Sequence, residues 1–373
     1  MSTFILRLDG AGSGPRLAVK DLIDLAGLPT TAGSRALERR AKPAERDAPC
    51  MAGARAADAR IVGKVNLHEL AMLPLGTNPW FGTPQNPFDA ALIPGGSSSG
   101  SAVAVATDEA DIAYGSDTGG SVRIPAACCG VAGLKTTHGR ISIEGVCPLA
   151  PSLDTIGPLA RDVAGLVTGM QLLEPGFTVD ADAAVRIGRV RSPADPDIDN
   201  AVDEALRAAG FEVVPVEVDW ELGSNSFLSI YAKEVLEVDL QLVRDNPDDV
   251  GEDITGMIAT AEFLAPALEE ARSQVPAWQA SLDRLFDDVQ LLALPTLPVR
   301  PPRIDDIPAD PTELVIELTR HVSPFNAAGV PATAQPVPMA GSSLPASLEL
   351  VGPRGAEALL LATAAVVESA VRR

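Results

Sequence analysis

The chain is poor in histidine and cysteine, on which most protein metal sites and redox sites depend. Its 373 residues include three histidines and four cysteines. Two of the cysteines are the adjacent pair Cys128 and Cys129, a spacing unlike that of metal ligands, and no histidine clusters with them. We therefore expect no metal site and no cofactor. These two cysteines, together with Cys50 and Cys147, are interpreted as small buried packing residues.

Basic residues are scarce relative to acidic ones. There are 29 Lys and Arg against 50 Asp and Glu, which gives a formal net charge of −21 at pH 7. Such a surface repels phosphate backbones and anionic lipids, so we expect no binding to nucleic acid or membranes. No run of about 18 uninterrupted apolar residues is present, and residues 1–10 lack the features of a signal peptide. The expected location is the cytoplasm.

Aromatic residues make up 4% of the chain, whereas hydrophobic residues make up 46%. A large core is therefore possible, but it must be built mainly from Ala, Val, Leu and Ile. Strand-like and helix-like segments alternate throughout and no internal repeat is found, which predicts one α/β domain over residues 1–373. Residues 1–16 are expected to be an irregular lead-in.

Several segments have periodicity clear enough to assign. Strands are predicted for residues 60–66, 111–114, 211–218, 289–294 and 348–351, and helices for 101–107, 198–209, 228–243, 254–271 and 356–371. The short apolar segment 17–19 is also predicted to be a buried strand, and Lys20 follows it directly.

Two glycine–serine clusters mark residues 93–125 as the centre of the chain. The first contains Ser97, and the second is Gly119-Gly120-Ser121. Glycine pairs let a backbone turn tightly and approach a ligand, and consecutive N–H groups in such a turn can hold a developing negative charge. Ser121 is therefore a candidate nucleophile beside its own oxyanion hole.

A serine hydroxyl needs an adjacent base to become a good nucleophile. None of the three histidines (His68, His138 and His321) is tied by spacing to either serine cluster, so a Ser-His-Asp arrangement has little support. A lysine can serve instead if burial keeps it neutral. Lys20, at the end of a short apolar strand, is the candidate base.

Four motifs, in this order, resemble the amidase signature family of serine hydrolases with a Ser-Ser-Lys triad. They are Ala18-Val19-Lys20-Asp21, Gly95-Gly96-Ser97-Ser98, Gly115-Ser116-Asp117-Thr118-Gly119-Gly120-Ser121 and Ser152-Leu153-Asp154-Thr155-Ile156-Gly157-Pro158. The resemblance implies a single large domain with a mixed, twisted β-sheet core flanked by helices. Residues 17–170 would carry the catalytic motifs, residues 180–290 would form a variable substrate pocket, and residues 291–373 would complete the domain.

The resemblance also implies a role for each motif. Ser121 corresponds to the nucleophile, Ser97 to a bridging serine that follows a cis peptide bond, and Lys20 to the general base. The implied oxyanion hole consists of the backbone N–H groups of Thr118, Gly119, Gly120 and Ser121. The implied reaction is hydrolysis of a small-molecule carboxylic amide, through an acyl-enzyme, to an acid and ammonia or an amine.

A second interpretation is the glutaminase subunit of a tRNA-dependent amidotransferase, because residues 115–121 and 152–154 also fit that subunit. Only 19 residues precede Lys20, and residues 220–290 match that subunit poorly. Both observations favour a free-standing hydrolase of small amides, aryl-acetamides included. A catalytically dead scaffold is a third interpretation, which the intact Lys20, Ser97 and Ser121 disfavour. The sequence defines neither the physiological amide nor an oligomeric state.

Other residues near these motifs have competing interpretations. Arg123 could bind a substrate carboxylate or pair with a structural acid such as Asp117 or Asp154, and we favour the structural role. Asn66, His68 and Glu69 are expected to tie down neighbouring loops. The larger side chains of the variable region are core residues by default, with a few expected to line the pocket: Trp220, Phe227, Tyr231, Met257 and Phe263.

Overall fold

Short strands and helices alternate along the chain, as its hydrophobic periodicity predicts. The computed structural model describes residues 2–268 and 270–372. Within these residues, eleven strands join one sheet: β1 (Phe4–Arg7), β2 (Arg16–Lys20), β3 (Arg60–Val65), β4 (Ile112–Ser116), β5 (Ala132–Lys135), β6 (Ile156–Ala160), β7 (Arg186–Val190), β8 (Glu212–Val216), β9 (Leu291–Pro295), β10 (Ala332–Val337) and β11 (Ala346–Val351).

The sheet mixes parallel and antiparallel pairing in the spatial order β1-β3-β2-β4-β6-β5-β10-β11-β9-β7-β8. β2 is parallel to both β3 and β4, and β7 is parallel to both β8 and β9. The strands from β4 to β9 in this order pair antiparallel. Because β2 and β4 are parallel neighbours, their carboxyl ends meet at one edge of the sheet. Lys20 and Ser116 are the last residues of these two strands.

The helices of the described residues cover the sheet and build the region beside the strand ends. They are α1 (Arg35–Glu38), α2 (Ala52–Ala56), α3 (Ser99–Ala106), α4 (Arg123–Cys129), α5 (Val163–Leu173), α6 (Pro196–Ala209), α7 (Trp220–Asp245), α8 (Glu252–Leu268), α9 (Val275–Asp288), α10 (Thr312–Thr319), α11 (Ser323–Ala328) and α12 (Glu357–Val371).

Helices lie on both faces of the sheet. Successive side chains of a strand point to opposite faces, so neighbouring residues of β2 contact different helices. Val19 of β2 belongs to the same core cluster as Met170 of α5, whereas its neighbour Ala18 belongs to another cluster with Val103 of α3. α3 consists of Ser, Gly, Ala and Val and is buried over almost its whole length. These small side chains allow its backbone to approach the sheet closely, and its N-terminal end lies just after Ser97.

The expectation of an irregular lead-in over residues 1–16 is wrong for its first part. Phe4–Arg7 forms the edge strand β1, which pairs antiparallel with β3. The Phe4 ring lies beside Gly63 of β3, where a side chain would collide with it. The Gly-rich composition after Arg7 hides this pairing, since the hydrogen-bond partners come from a strand more than fifty residues later.

The variable region also departs from the predicted boundaries. α7 begins at Trp220 rather than at residue 228, because the Asp219 side chain accepts a hydrogen bond from the Leu222 N–H and caps the helix. α8 ends at Leu268, and residue 269, within the predicted helix 254–271, lies outside the described residues. Glu270–Gln274 then forms a 3₁₀ turn before α9.

The prediction of one α/β domain with a mixed sheet flanked by helices is confirmed. Three assignments stay predictions: catalytic motifs in residues 17–170, a variable substrate pocket in residues 180–290, and completion of the domain by residues 291–373. Across residues 2–268 and 270–372, no helix has the length and apolar composition needed to cross a membrane.

Candidate active site

Strand β2 ends at a fully buried lysine. Lys20 Nζ lies 2.7 Å from Ser97 Oγ and 2.8 Å from Ser116 Oγ, so it shares hydrogen bonds with two hydroxyls. Burial lowers the pKa of Lys20 to about 7, although the nearby Asp117 and Asp154 carboxylates act in the opposite direction. Near pH 7 a substantial fraction of Lys20 is therefore the neutral amine, the form that can accept a proton.

Ser97 stands where the loop after β3 enters α3. The expected cis peptide bond is present between Gly96 and Ser97. The Ser97 carbonyl accepts a hydrogen bond from the His68 N–H at 3.0 Å. The next residue, Ser98, donates its N–H to the carbonyl of Ser121 at 3.2 Å, so the backbones of the two serine clusters lie side by side.

Ser121 lies in the turn that joins β4 to α4 and lines a cavity. Its residue surface is 8% exposed, compared with 0% for Ser97. Within the described part of the chain, its hydroxyl makes no hydrogen bond to protein, whereas the Ser97 hydroxyl is held by Lys20. Ser121 therefore presents a hydroxyl that a bound molecule can reach.

The turn before Ser121 presents backbone N–H groups in two directions. The Gly120 N–H donates to Asp117 Oδ1 at 2.8 Å, inside the protein. The N–H groups of Thr118, Gly119 and Ser121 make no hydrogen bond among the described residues, and all three residues line the cavity. Gly120 has a φ of +117°, and a side chain there would collide with Val322, so the turn requires glycine.

A buried ion network holds this turn in place on the side away from the cavity. Arg123, the first residue of α4, donates to Asp117 through Nε at 3.0 Å and through a terminal nitrogen at 2.9 Å. It also pairs with Glu349 of β11 at 2.6 Å and donates to Asn326 Oδ1 of α11. Burial would raise the pKa of Asp117, but Arg123 outweighs it and holds that pKa well below its usual range. The structural interpretation of Arg123 is therefore confirmed.

The segment around Asp154 supports the other side of the turn. Thr118 donates its hydroxyl to Asp154 Oδ1 at 2.6 Å, and the Leu149 N–H donates to Asp154 Oδ2 at 3.0 Å. The Thr155 hydroxyl donates to the Asp117 carbonyl at 2.8 Å, and the Asp117 N–H donates to the Thr155 carbonyl at 2.8 Å. Burial raises the pKa of Asp154, against the lowering effect of the hydrogen bonds that its carboxylate accepts.

A cavity of about 120 Å³ opens beside Ser121. Three helices supply most of its walls, and α8 and α10 each present one face with i, i+3, i+4, i+7 spacing. The lining residues are Phe227, Leu228, Tyr231 and Ala232 of α7, Met257, Thr260, Ala261 and Leu264 of α8, and Thr312, Val315, Ile316 and Thr319 of α10. The other wall comes from residues 71–74, Leu149 and the turn at Thr118, Gly119 and Ser121.

The cavity answers the open question about the large side chains of the variable region. Phe227, Tyr231 and Met257 line it, whereas Trp220 stacks on His321 and Phe263 is 82% exposed outside it. The Phe227 ring lies against the Cα of Gly119, where an added side chain would collide with it. The active-site turn and the first wall helix are thus in direct contact.

The segment after β3 ties down loops, as expected from its sequence. Asn66 donates to the carbonyls of Ser2 and Gly82, and Glu69 accepts hydrogen bonds from the Trp80 indole and the Gly251 N–H. The His68 ring is buried, with its Nε2 3.2 Å from Asp253.

Among the described residues, no histidine or cysteine lines the cavity beside Ser121. His138 Nε2 contacts the Pro151 carbonyl, and His321 Nδ1 contacts the Pro295 carbonyl at 2.8 Å. Burial lowers the pKa of His321 to about 4. The four cysteines are free thiols, three of them buried and Cys147 half-buried. No group of three or more His, Cys, Asp or Glu side chains among the described residues is arranged to hold a metal ion.

This geometry agrees with comparisons to known proteins. The Amidase family model matches residues 13–361. The chain belongs to the amidase signature family. It is accordingly an amide hydrolase that acts on carbon–nitrogen bonds, in keeping with the amidases found among its relatives.

Relatives within the amidase signature family are similar over almost the whole chain. A glutamyl-tRNA(Gln) amidotransferase subunit of Halobacterium salinarum is 33% identical and covers 96% of both chains. The AtzE subunit of 1-carboxybiuret hydrolase from a Pseudomonas species is 32% identical, covering 95% of this chain and 84% of its own. A crystal structure of an amidase superposes with a TM-score of 0.86 at 29% identity, over 96% of this chain and 84% of the other.

Sequence reasoning misses several residues of this site. Ser116, the second hydroxyl on Lys20, lies within a recognised motif, yet the motif assigns it no role. Asn326 and Glu349 reach the Asp117–Arg123 pair from more than 200 residues away, so local spacing does not reveal their contact with it. Helical spacing in Thr312, Val315, Ile316 and Thr319 could have indicated the α10 helix, but this spacing alone does not show that the face lines a cavity.

Proposed function

We propose that the chain hydrolyses a carboxylic amide through a Ser121 acyl-enzyme, with Ser97 as the proton relay and Lys20 as the general base. The observation that carries this proposal is the 2.7 Å contact between Ser97 Oγ and the buried Lys20 Nζ, whose pKa is lowered to about 7. A neutral amine beside a relay hydroxyl supplies the base that a serine nucleophile needs.

The proposed acylation step conserves every proton. Neutral Lys20 takes the proton of Ser97, Ser97 takes the proton of Ser121, and Ser121 Oγ bonds to the amide carbon. The carbonyl oxygen becomes an oxyanion facing the free N–H groups of Gly119 and Ser121, with Thr118 beside them. The relay then returns a proton to the leaving nitrogen, the C–N bond breaks, and ammonia or an amine departs.

Deacylation uses the same groups in a second cycle. Water attacks the acyl carbon while its proton passes through Ser97 to Lys20, and the acid leaves as Ser121 regains its proton. Ser116 acts as a positioning residue, since a hydrogen bond from Lys20 to its hydroxyl directs the lysine lone pair toward Ser97. The Gly120 N–H takes a smaller part than the other three, because it is already bonded to Asp117.

Active-site labelling tests the nucleophile assignment. A fluorophosphonate should attach to Ser121, and Ser121→Ala should abolish both labelling and amide turnover while the circular dichroism spectrum stays unchanged. Ser142→Ala, which alters an exposed serine outside the cavity, serves as the control and should label normally. Peptide mass spectrometry that finds the label on a different serine would overturn the assignment.

The glutaminase-subunit function is the second candidate, and the name of the Halobacterium relative supports it. That relative matches over 96% of its own length, so chain length does not separate the two functions. Ammonia release from glutamine that requires a partner protein would favour this second candidate. Turnover of simple amides by the purified chain alone favours the free-standing hydrolase.

A further inference from the structure

The cavity beside Ser121 offers a substrate no charged partner. Of the described residues that line it, none is Asp, Glu, Lys, Arg or His. The walls are aliphatic side chains, the two aromatic rings of α7 and a few hydroxyl-bearing residues. Burying a carboxylate or ammonium without a partner is costly, so the lining favours an uncharged group.

The hydroxyl groups of the cavity wall, apart from that of Ser121, already donate hydrogen bonds within the protein. Thr260 donates to the Gly256 carbonyl, Thr312 to Asp310 and Thr319 to the Val315 carbonyl. Tyr231 donates to the Met72 carbonyl at 2.8 Å, and Thr118 donates to Asp154. Ser121 is then the single lining hydroxyl, among the described residues, that makes no hydrogen bond to protein. Besides the backbone N–H groups of Thr118, Gly119 and Ser121, the Ser121 hydroxyl is therefore the one free side-chain donor that the described lining residues offer a ligand.

Two stacked aromatic rings form the part of the cavity wall next to the turn that carries Ser121. Phe227 and Tyr231, four residues apart on α7, stack with their ring centroids 5.4 Å apart. Phe227 touches the turn at Gly119, and the hydrogen bond from Tyr231 to Met72 ties the stack to another wall of the cavity. An acyl chain attached to Ser121 would lie against these fixed rings.

We propose that the acyl part of the substrate is uncharged and apolar, and that amides carrying a carboxylate or ammonium on that part, glutamine among them, are rejected. This inference rests on the proposed function of Ser121. It separates this chain from relatives whose names specify a carboxylated substrate or a glutamyl-tRNA.

A matched pair of amides tests the inference. Pentanamide and glutaramate have the same chain length, and glutaramate carries a carboxylate where pentanamide carries a methyl group. We expect kcat/KM for pentanamide to exceed that for glutaramate and for glutamine by at least about 100-fold, because the carboxylate would be buried without a partner. Equal or faster turnover of glutaramate or glutamine would overturn the inference.

A binding measurement separates failure of this inference from failure of the proposed function. Ser121→Ala protein should bind pentanamide more tightly than glutaramate in calorimetric titrations. If wild-type protein hydrolyses neither amide but the variant keeps this preference, the inference about the cavity stands and the proposed reaction fails. If the two ligands bind equally, the inference fails even when hydrolysis occurs.

A charge placed in the wall provides the complementary test. Met257→Lys should lower kcat/KM for pentanamide at least about 10-fold and shrink the preference over glutaramate, because an ammonium then faces the acyl group. Phe263→Lys adds the same charge on the same helix, at a side chain 82% exposed and outside the cavity, and should change neither value. A folded Met257→Lys protein with the wild-type preference would contradict the assigned acyl pocket.

Discussion

Two buried lysines, Lys20 and Lys135, differ in their hydrogen-bond partners, and this difference bears on the proposed role of Lys20 as the base. Burial lowers the pKa of each to about 7. Lys135 donates to the carbonyls of Thr136 and Val330, which have no proton to give back. The partners of Lys20 are the hydroxyls of Ser97 and Ser116, and a hydroxyl can pass its proton to a neutral amine.

The pKa of Lys20 gives the proposed mechanism a defined pH dependence. Because the neutral amine is the active form, kcat/KM for an amide should rise as pH increases through about 7, rather than near the free-lysine value of about 10.4. Lys20→Arg should lower kcat/KM at least about 100-fold at every pH, since a guanidinium stays protonated. Steady-state rates measured from mildly acidic to mildly alkaline pH would test both effects.

Two further variants bear on that profile, and the first of them is a control. Lys135→Met should keep the wild-type midpoint in any folded preparation, because the hydrogen bonds of Lys135 go to backbone carbonyls rather than to Ser97 or Ser121. Ser116→Ala should shift the midpoint to lower pH, because it removes an acceptor that stabilises the ammonium form of Lys20. Near-wild-type amide turnover by folded Lys20→Arg would show that the base lies elsewhere.

At the scale of elements, Arg123 joins the active-site turn to two distant parts of the fold. It binds Asp117 after β4, Glu349 on β11 and Asn326 on α11, all of them buried. Burial raises the pKa of Glu349 to about 7 even though Arg123 opposes that rise, so Glu349 can be neutralised by a proton at little cost. Asp117 stays charged in the wild-type protein, because Arg123 holds its pKa far below neutrality.

Arg123→Met should therefore destabilise the fold by about 3–5 kcal/mol, mainly because the buried Asp117 carboxylate would lose its counter-ion. Urea unfolding followed by circular dichroism would measure this free energy. Arg303→Met removes an arginine that is half exposed and 3.7 Å from Asp89. This control substitution should lower the free energy of unfolding by less than about 1 kcal/mol. If Arg123→Met lowers the free energy of unfolding by less than about 1 kcal/mol, the buried ion network does not stabilise the fold to the expected extent.

The sequence predicts the parts of this site that depend on local patterns. Lys20 at the end of an apolar strand, the tight turn before Ser121 and the small-residue helix after Ser97 follow from neighbouring residues. The adjacency of β2 and β4 does not, because strands so far apart along the chain are paired by the whole sheet. Edge strand β1 is not predicted from the sequence for the same reason, since its partner β3 lies far along the chain.

The cavity likewise could not be predicted from local sequence patterns. Its wall residues on α8 and α10 have the spacing of a helix face, yet that spacing is equally typical of a face packed on the core. The cavity exists because α7, α8 and α10 meet beside Ser121, and this arrangement depends on tertiary contacts. Without them, Phe227, Tyr231 and Met257 could not be separated from Trp220 and Phe263.

At the scale of the whole molecule, the excess of acidic residues dominates the electrostatics. Many arginines take part in ion pairs, but exposed pairs of this kind contribute about 0–1 kcal/mol each. The net charge of −21 leaves the surface under mutual repulsion that is strongest when the chain is compact. Unfolding spreads these charges apart, so repulsion lowers the free energy of unfolding at low ionic strength.

Added salt should therefore stabilise this protein. The screening length falls from about 30 Å at 0.01 M to about 10 Å at 0.1 M, which weakens long-range repulsion more than the short contacts within ion pairs. We expect the Tm at pH 7 to rise when NaCl increases from about 0.01 M to about 0.3 M. Scanning calorimetry in NaCl, rather than a sulfate salt, keeps the comparison free of surface-exclusion effects.

A charge-reversal variant shows whether repulsion is the cause. Asp283 and Asp287 are exposed on α9, and Asp283→Lys with Asp287→Lys makes the molecule less negative without disturbing the active site. The double variant should have a higher Tm than the wild type at low salt and a smaller gain from added NaCl. If the wild-type Tm instead falls as NaCl is added, attraction within the surface ion pairs outweighs the acidic repulsion, and the net charge is not what limits stability.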